Sequence, residues 1–191
     1  MNDTEVLAAL DDPQTLALTA WAEARAIVLL LNRLGQVASH SPIEELIAVM
    51  VVVRNRMTRD VRRVAGGFLH PHGGLSYKSI CLAPAQFSCW TPGSGPNHDA
   101  LMTVARLVTG SDATVAGVRV TPSINLDAEV RECLYLAKGV IGGDLRDRTN
   151  GATSYWAPAS MQPVGRVPDW AIKDGKPLPF EVIGNQNFLC L

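Results

Sequence analysis

The alternation of hydrophobic and polar positions along this 191-residue chain describes a series of helices followed by a shorter region of different texture. Thr4 to Leu10 predicts a short helix with Asp3 or Thr4 as its N-cap. Asp11-Asp12-Pro13 ends it and starts a second helix, with Asp12 as N-cap and Pro13 in the first helical position. Leu16, Ala20, Glu23 and Ile27 lie along one side of that helix, which runs to Arg33 ahead of the stop at Gly35. Ser41-Pro42-Ile43-Glu44 supplies an N-cap, an N-terminal proline and a capping-box glutamate. Ile43 to Met57 is then apolar on nearly every side, which predicts a buried central helix. Length and caps outweigh the β-branched run Val51-Val52-Val53. Later helices are expected from His98 to Thr109, capped by Asn97, and from Asp127 to Ile141, stopped by Gly142-Gly143. Gly66 to Pro84 reads as an irregular loop with a short strand around Leu75 to Cys81, and Val115 to Val120 is strand-like. After Asp147, short strands are expected at Thr149 to Trp156 and Glu181 to Leu189, around a proline-rich excursion that contains Trp170. The fold class is therefore mainly α with a small β element.

Composition narrows the picture. A hydrophobic fraction of 47% against 18% charged residues supplies a real core. The length suits one domain, read as residues 16–191 with 1–15 as an N-terminal helical extension. A net charge of -1 gives no reason to expect nucleic acid. The local cluster Arg54, Arg56, Arg59, Arg62 and Arg63 reads as a solvated helix face. The acidic start, Met1-Asn2-Asp3-Thr4-Glu5, lacks the basic n-region of a secretory signal. Glu23 and Arg25 interrupt the apolar run Leu16 to Leu31, which argues against stable membrane insertion. Cys81, Cys89, Cys133 and Cys190 form no C-x-x-C pair and read mostly as buried small hydrophobes, with pairing of Cys81 to Cys89 left open. His70-Pro71-His72 reads as exposed loop histidines rather than as a metal site, so neither metal nor cofactor is expected.

Candidate chemistry centres on Thr19-Ala20-Trp21-Ala22-Glu23-Ala24-Arg25. Here one carboxylate sits inside an otherwise apolar stretch. Burial disfavours the charged form of a carboxyl and so keeps a proton available near neutral pH, as a general acid requires. Pairing of Glu23 with Arg25 or Arg33, or simple exposure to water, is the competing local reading. Further along, Gln86-Phe87-Ser88-Cys89-Trp90 packs polar and aromatic groups into one loop.

Three blocks together resemble the cell wall hydrolase family of the spore-cortex-lytic enzymes. Trp21-Ala22-Glu23-Ala24-Arg25 is similar to that family's Y/W-x-E-A-R block, followed by an apolar helix ending in Asn55-Arg56. Gln86-Phe87-Ser88-Cys89-Trp90 resembles its Q-F-S-C-W loop, and Asp147 to Tyr155 its D-x-T-x-G-A strand. Trp170 and Ile183-Gly184-Asn185-Gln186-Asn187-Phe188 resemble its closing motif. Two departures stand out. Ala26 to Ser41 is longer than the family's connector, and Gln186 occupies the place of a family histidine. The resemblance implies a lysozyme-like catalytic domain that cleaves peptidoglycan glycan strands, with Glu23 as catalytic acid and lytic transglycosylase chemistry.

Hydrolysis with water as nucleophile ordinarily needs two carboxylates. Only Glu23 qualifies well. Asp147 reads as a turn or capping residue, Glu44 and Glu45 as helix capping, and Asp169 as an outside candidate. One acid suits the transglycosylase route. Phe87, Trp90, Tyr155 and Trp170 offer flat faces for sugars, with Gln86, Ser88 and Asn150 as polar partners and core packing as the competing role of each aromatic. The alternatives are a peptidoglycan amidase or peptidase, with zinc or a Cys-His pair, and a non-catalytic glycan-binding or structural component of a phage-like particle. The expected partners are glycan strands and phage-tail or particle proteins. Action in the periplasm or cell envelope is expected, with delivery by such a particle or by a lysis system.

Overall fold

The computed structural model describes residues 1–33, 35, 42–58, 63–64, 67–68, 76–84, 86–115, 118–120 and 128–191. Helix α1, Asp3–Ala9, starts from Asn2 rather than from Asp3 or Thr4. Asn2 Oδ1 accepts the Glu5 N–H at 2.9 Å, and the Glu5 carboxylate accepts the Asn2 N–H at 2.8 Å. Helix α2, Asp12–Arg33, is capped in the same reciprocal way by Asp11 and Gln14, at 2.7 and 3.0 Å. Asp12, the expected cap, instead accepts the Lys78 N–H at 2.9 Å. Helix α3 is Ile43–Thr58 and helix α4 is Tyr77–Cys81. The strand expected around Leu75 to Cys81 is thus a helical turn across its described part. Ser76 and Ser79 exchange side-chain and backbone hydrogen bonds at its start, and such a local cap outweighs a short apolar alternation. Helix α5, Pro96–Val108, begins behind Gly95 with the proline in its first turn. Asn97 is therefore not its cap, and its Nδ2 donates to the Ala22 carbonyl at 3.1 Å. Helix α6 is Ala128–Gly142.

Strands are short. β1 (Arg63–Val64) pairs with β2 (Gly67–Phe68), and β3 (Ala113–Val115) pairs with β4 (Val118–Val120), both antiparallel. β5 (Ser154–Trp156), β6 (Ile172–Lys173), β7 (Lys176–Pro177), β8 (Glu181–Ile183) and β9 (Gln186–Leu189) follow. β5, β9 and β8 form an antiparallel sheet in that order, with Tyr155 opposite Phe188 and Ile183 opposite Gln186. The single strand expected from Glu181 to Leu189 is therefore a hairpin that turns at Gly184-Asn185. The strand expected from Thr149 is confined to Ser154–Trp156, because Asp147 folds the preceding residues into a turn. Asp147 accepts from Thr149 N, Thr149 Oγ1, Gly151 N and Asn55 Nδ2 at 2.6 to 3.1 Å. The result is a mostly helical protein with a small open sheet.

Helix α2 packs against α3, α4, α5 and α6, and α3 packs against α4 and α6 as well. Leu16, Leu18, Val49, Met50, Val53, Leu101, Val140 and Phe188 fill the core between them. Val6 and Leu10 join the same core, so the N-terminal segment is docked on it. Helix α2 is long and apolar enough to cross a membrane, but 56% of its most apolar window is buried inside the fold, as in a core helix. A second cluster of Trp156, Ala171 and Leu189, with Trp170 and Leu178 against it, lies under the excursion after β5.

One polar contact ties α3 to the sheet. Glu45, expected to be a capping residue, is fully buried. Its Oε2 accepts the Asn185 N–H at 2.8 Å and Asn185 Nδ2 at 3.2 Å, and its Oε1 accepts Gln186 Nε2 at 3.0 Å. A buried carboxylate is tolerated only with such donors. Gly184, at φ +60°, permits the approach, since a Cβ there would lie 2.3 Å from Glu45 Oε2. Gly184→Ala is therefore expected to cost at least about 2 kcal/mol, from left-handed strain and displaced hydrogen bonds. Urea denaturation of the variant against wild type checks this.

Candidate active site

The site is built on α2. Thr19 and Glu23 stand one turn apart, in a stretch whose other side chains are largely buried. Thr19 Oγ1 donates to the Thr15 carbonyl at 2.7 Å and accepts the Trp90 Nε1–H at 2.8 Å. That bond fastens the 3₁₀ turn Ser88–Trp90 to the helix. His98 Nδ1–H donates to the Cys89 carbonyl at 2.9 Å and holds the same turn from the α5 side, since a carbonyl can only accept. The turn is thus fixed at both ends beside Glu23.

Strand β5 delivers the principal partner. Tyr155 Oη–H donates to Glu23 Oε2 at 3.0 Å. Its ring lies between Phe188, with centroids 5.6 Å apart, and Phe87, at 6.5 Å. Helix α3 delivers Arg56, which is 5% exposed. Its Nε–H donates to the Thr153 carbonyl at 2.7 Å, and its guanidinium lies 5.1 Å from the Phe87 ring centroid. Its Nη1 is buried and has no hydrogen-bond partner. Neighbouring Asn55 holds the turn that leads into β5, donating to the Ala152 carbonyl at 3.0 Å and to Asp147.

Burial raises the Glu23 carboxyl above its ordinary range. Hydrogen bonds from Tyr155 and from the Cys89 thiol and backbone N–H, with the Arg56 charge, offset only part of that effect. The residue as a whole is half-buried. Burial, followed by the neighbouring Glu23 charge, pushes the Tyr155 hydroxyl well above its usual value, so it stays a proton donor to the carboxyl. The same two causes raise Cys89, and burial raises Cys81 to about 12. Both are free cysteines, and burial favours the thiol over the thiolate in each. Burial lowers Arg56, with neighbouring groups opposing the shift.

The predicted sugar contacts divide. Tyr155 touches Glu23 directly, Phe87 lies beneath Arg56 and against Tyr155, and Trp90 is buried one helical turn away through Thr19. Ser88 is exposed at the start of the 3₁₀ turn, and Gln86 is partly buried with an unpartnered Oε1. Asn150 is exposed at φ +55°, on the turn held by Asp147. Trp170 is not brought to the acid. Its ring meets Trp156 edge-on at 5.6 Å, and Trp156 points to the opposite sheet face from Tyr155.

Other expected or alternative groups are engaged elsewhere. Desolvation raises Asp147, but its hydrogen bonds from Thr149, Asn55 and Gly151 outweigh that and hold it below the usual range, consistent with a turn role. Asp169 is exposed and pairs with Arg166 at 2.6 Å. Gln186 is buried against Glu45. Arg25 stacks 5.2 Å from the Trp21 centroid and does not pair with Glu23. These two residues line a groove of about 950 Å³ with Val28, Ile43, Glu44 and Glu132, and Glu23 is not part of that lining. Among the described residues no group of three or more His, Cys, Asp or Glu side chains could hold a metal, and His70 and His72 lie outside them.

The expected solvated arginine face is corrected in its described part. Arg56 is buried, and Arg54 donates to the Val140 and Leu145 carbonyls at 3.3 and 3.0 Å, while Arg59 and Arg62 lie outside the described residues. The signal for Arg56 was available. It continues the stripe Val49, Val52, Val53 at helical spacing, so its charge falls on a buried face. Thr19 and Cys89 carried no comparable signal. Compared with protein families, curated proteins and solved structures, the chain matches none.

A raised carboxyl has a definite thermodynamic sign. Between the ordinary glutamate pKa and the folded value, the folded state holds a proton that the unfolded chain has lost, so stability falls as pH rises through that window. Glu23→Gln removes this loss. Its Tm advantage over wild type is expected to be larger at about pH 8 than at about pH 4, as measured by thermal denaturation at both pH values.

Proposed function

We propose that this chain cleaves peptidoglycan glycan strands as a lytic transglycosylase, with Glu23 as general acid and then base, on a lysozyme-like arrangement of helices. The observation that carries the reading is the desolvated Glu23 carboxyl, held by Tyr155 within an otherwise apolar stretch of helix. The ordered resemblance of the three sequence blocks and the closing motif to the cell wall hydrolases supports the substrate class.

In this mechanism Glu23 gives its proton to the oxygen between N-acetylmuramic acid and N-acetylglucosamine as the C1–O bond breaks. The C6 hydroxyl of the same muramic acid closes on C1, and its proton returns to Glu23. No water is consumed, and the reacting hydroxyl is already tethered to the substrate. The involvement of Asp147 and Asp169 in other contacts favours this single-acid route over hydrolysis. Phe87 and Tyr155 shape the wall beside the acid, with Gln86 and Ser88 flanking Phe87 in the chain and Trp90 one helical turn away behind Thr19. The site of action in this reading is the cell envelope, reached with a phage-like particle or a lysis system.

Mass spectrometry of purified peptidoglycan digested with wild type and Glu23→Gln tests the assignment. Products ending in 1,6-anhydro-muramic acid from wild type, with at least about a hundredfold loss in the variant, are expected. Reducing-end muramic acid means hydrolysis instead, and released stem peptides mean an amidase or peptidase. No product from folded wild type leaves binding without cleavage.

A further inference from the structure

Arg56 is not explained by packing alone. A buried guanidinium is costly unless its donors and its charge are matched. Here Nε is matched by the Thr153 carbonyl and the plane is supported by Phe87. Nη1 is matched by nothing, and no carboxylate among the described residues forms an ion pair with it. Among the described residues the charge is therefore held in place without an ion-pair partner. It is held against the Glu23 assembly: the Phe87 ring beneath it packs on Tyr155, whose hydroxyl donates to Glu23, and the Glu23 carboxyl feels its charge.

We propose that Arg56 is a positioning residue for Glu23: its fixed guanidinium supports the carboxylate that Glu23 becomes when it gives up its proton. This deepens the transglycosylase reading and rests on it for the catalytic consequence. The groups facing Glu23 make the assignment specific. Tyr155 from β5 and Cys89 from the 3₁₀ turn are neutral donors. Cys81 of α4, beyond Arg56, is a neutral thiol, and His98 of α5 is turned to the Cys89 carbonyl. Arg56 is the cation among them. Neutral donors favour both protonated and ionised states of a carboxyl to differing degrees, whereas a cation acts on the ionised state alone. In a site with little water that effect is strong and poorly screened by salt. The attachment of Arg56 to Thr153, two residues before Tyr155, makes the cation and the hydroxyl donor parts of one strand-end assembly.

The test compares Arg56→Gln and Arg56→Lys with wild type by two readouts. The first is the carboxyl ¹³C titration of Glu23, assigned by its loss in Glu23→Gln. The second is the pH profile of peptidoglycan digestion. In Arg56→Gln the Glu23 titration and the alkaline limb of the profile are expected to move to higher pH, with kcat down about tenfold or more and KM little changed. In Arg56→Lys, which keeps the charge, both stay near wild type. An Arg56→Gln protein that folds, as judged by its Tm, and leaves the Glu23 titration unmoved overturns the proposal. If Arg56→Gln does not fold, Arg56→Lys decides: a Glu23 titration displaced upward despite the retained charge overturns it, and an unmoved one upholds it. The titration needs no substrate. A wild type that cleaves no glycan therefore refutes the proposed function while the role of Arg56 toward Glu23 is still decided.

Discussion

The hydrogen bond from Tyr155 to Glu23 joins the helical body to the small sheet at a carboxyl that burial holds above its ordinary range. A carboxyl in that position needs donors, and α2 cannot supply them from its own apolar neighbours. They come from β5 and from the 3₁₀ turn, so both must be held against α2. Much of the surrounding architecture serves that end. Thr19 binds Trp90, His98 binds the Cys89 carbonyl, and Arg56 and Asn55 hold the backbone that leads into β5.

A second buried acid performs the same kind of work at the other end of α3. Glu45 takes donors from Asn185 and Gln186 and so fixes the β8–β9 turn. β9 then lies beside β5 and presents Phe188 to the Tyr155 ring. The two acids differ in enclosure. Glu45 is fully buried, whereas Glu23 is half-buried. The first arrangement suits a tether and the second suits proton transfer. Gln186 serves this tether, so its side chain bears on the support of the sheet.

The same contrast separates the other acidic candidates. Asp147 is saturated by the turn it organises, and Asp169 is an exposed surface pair. Burial alone therefore does not mark a functional carboxyl. What sets Glu23 apart among these residues is a carboxyl raised by burial on a half-buried side chain.

The helices, and the singling out of Glu23, were legible in the sequence because helical periodicity is local: an acid interrupting Leu16 to Leu31 stands out without any knowledge of neighbours. Arg56 reads in the sequence as part of a solvated face, although it continues the buried stripe of Val49, Val52 and Val53 at helical spacing. Local pattern did less well at element ends. Asn2, Asp11 and Ser76 displaced or created helix starts through side-chain bonds that several nearby polar residues could equally have made. What only the tertiary structure decided is which groups meet across long stretches of chain. Tyr155 reaches Glu23 while its neighbour Trp156 takes Trp170 to the opposite face, and Glu45 becomes a tether instead of a cap. The physical reason is that strand register and helix packing set those meetings, and a one-residue change of register would exchange the two faces.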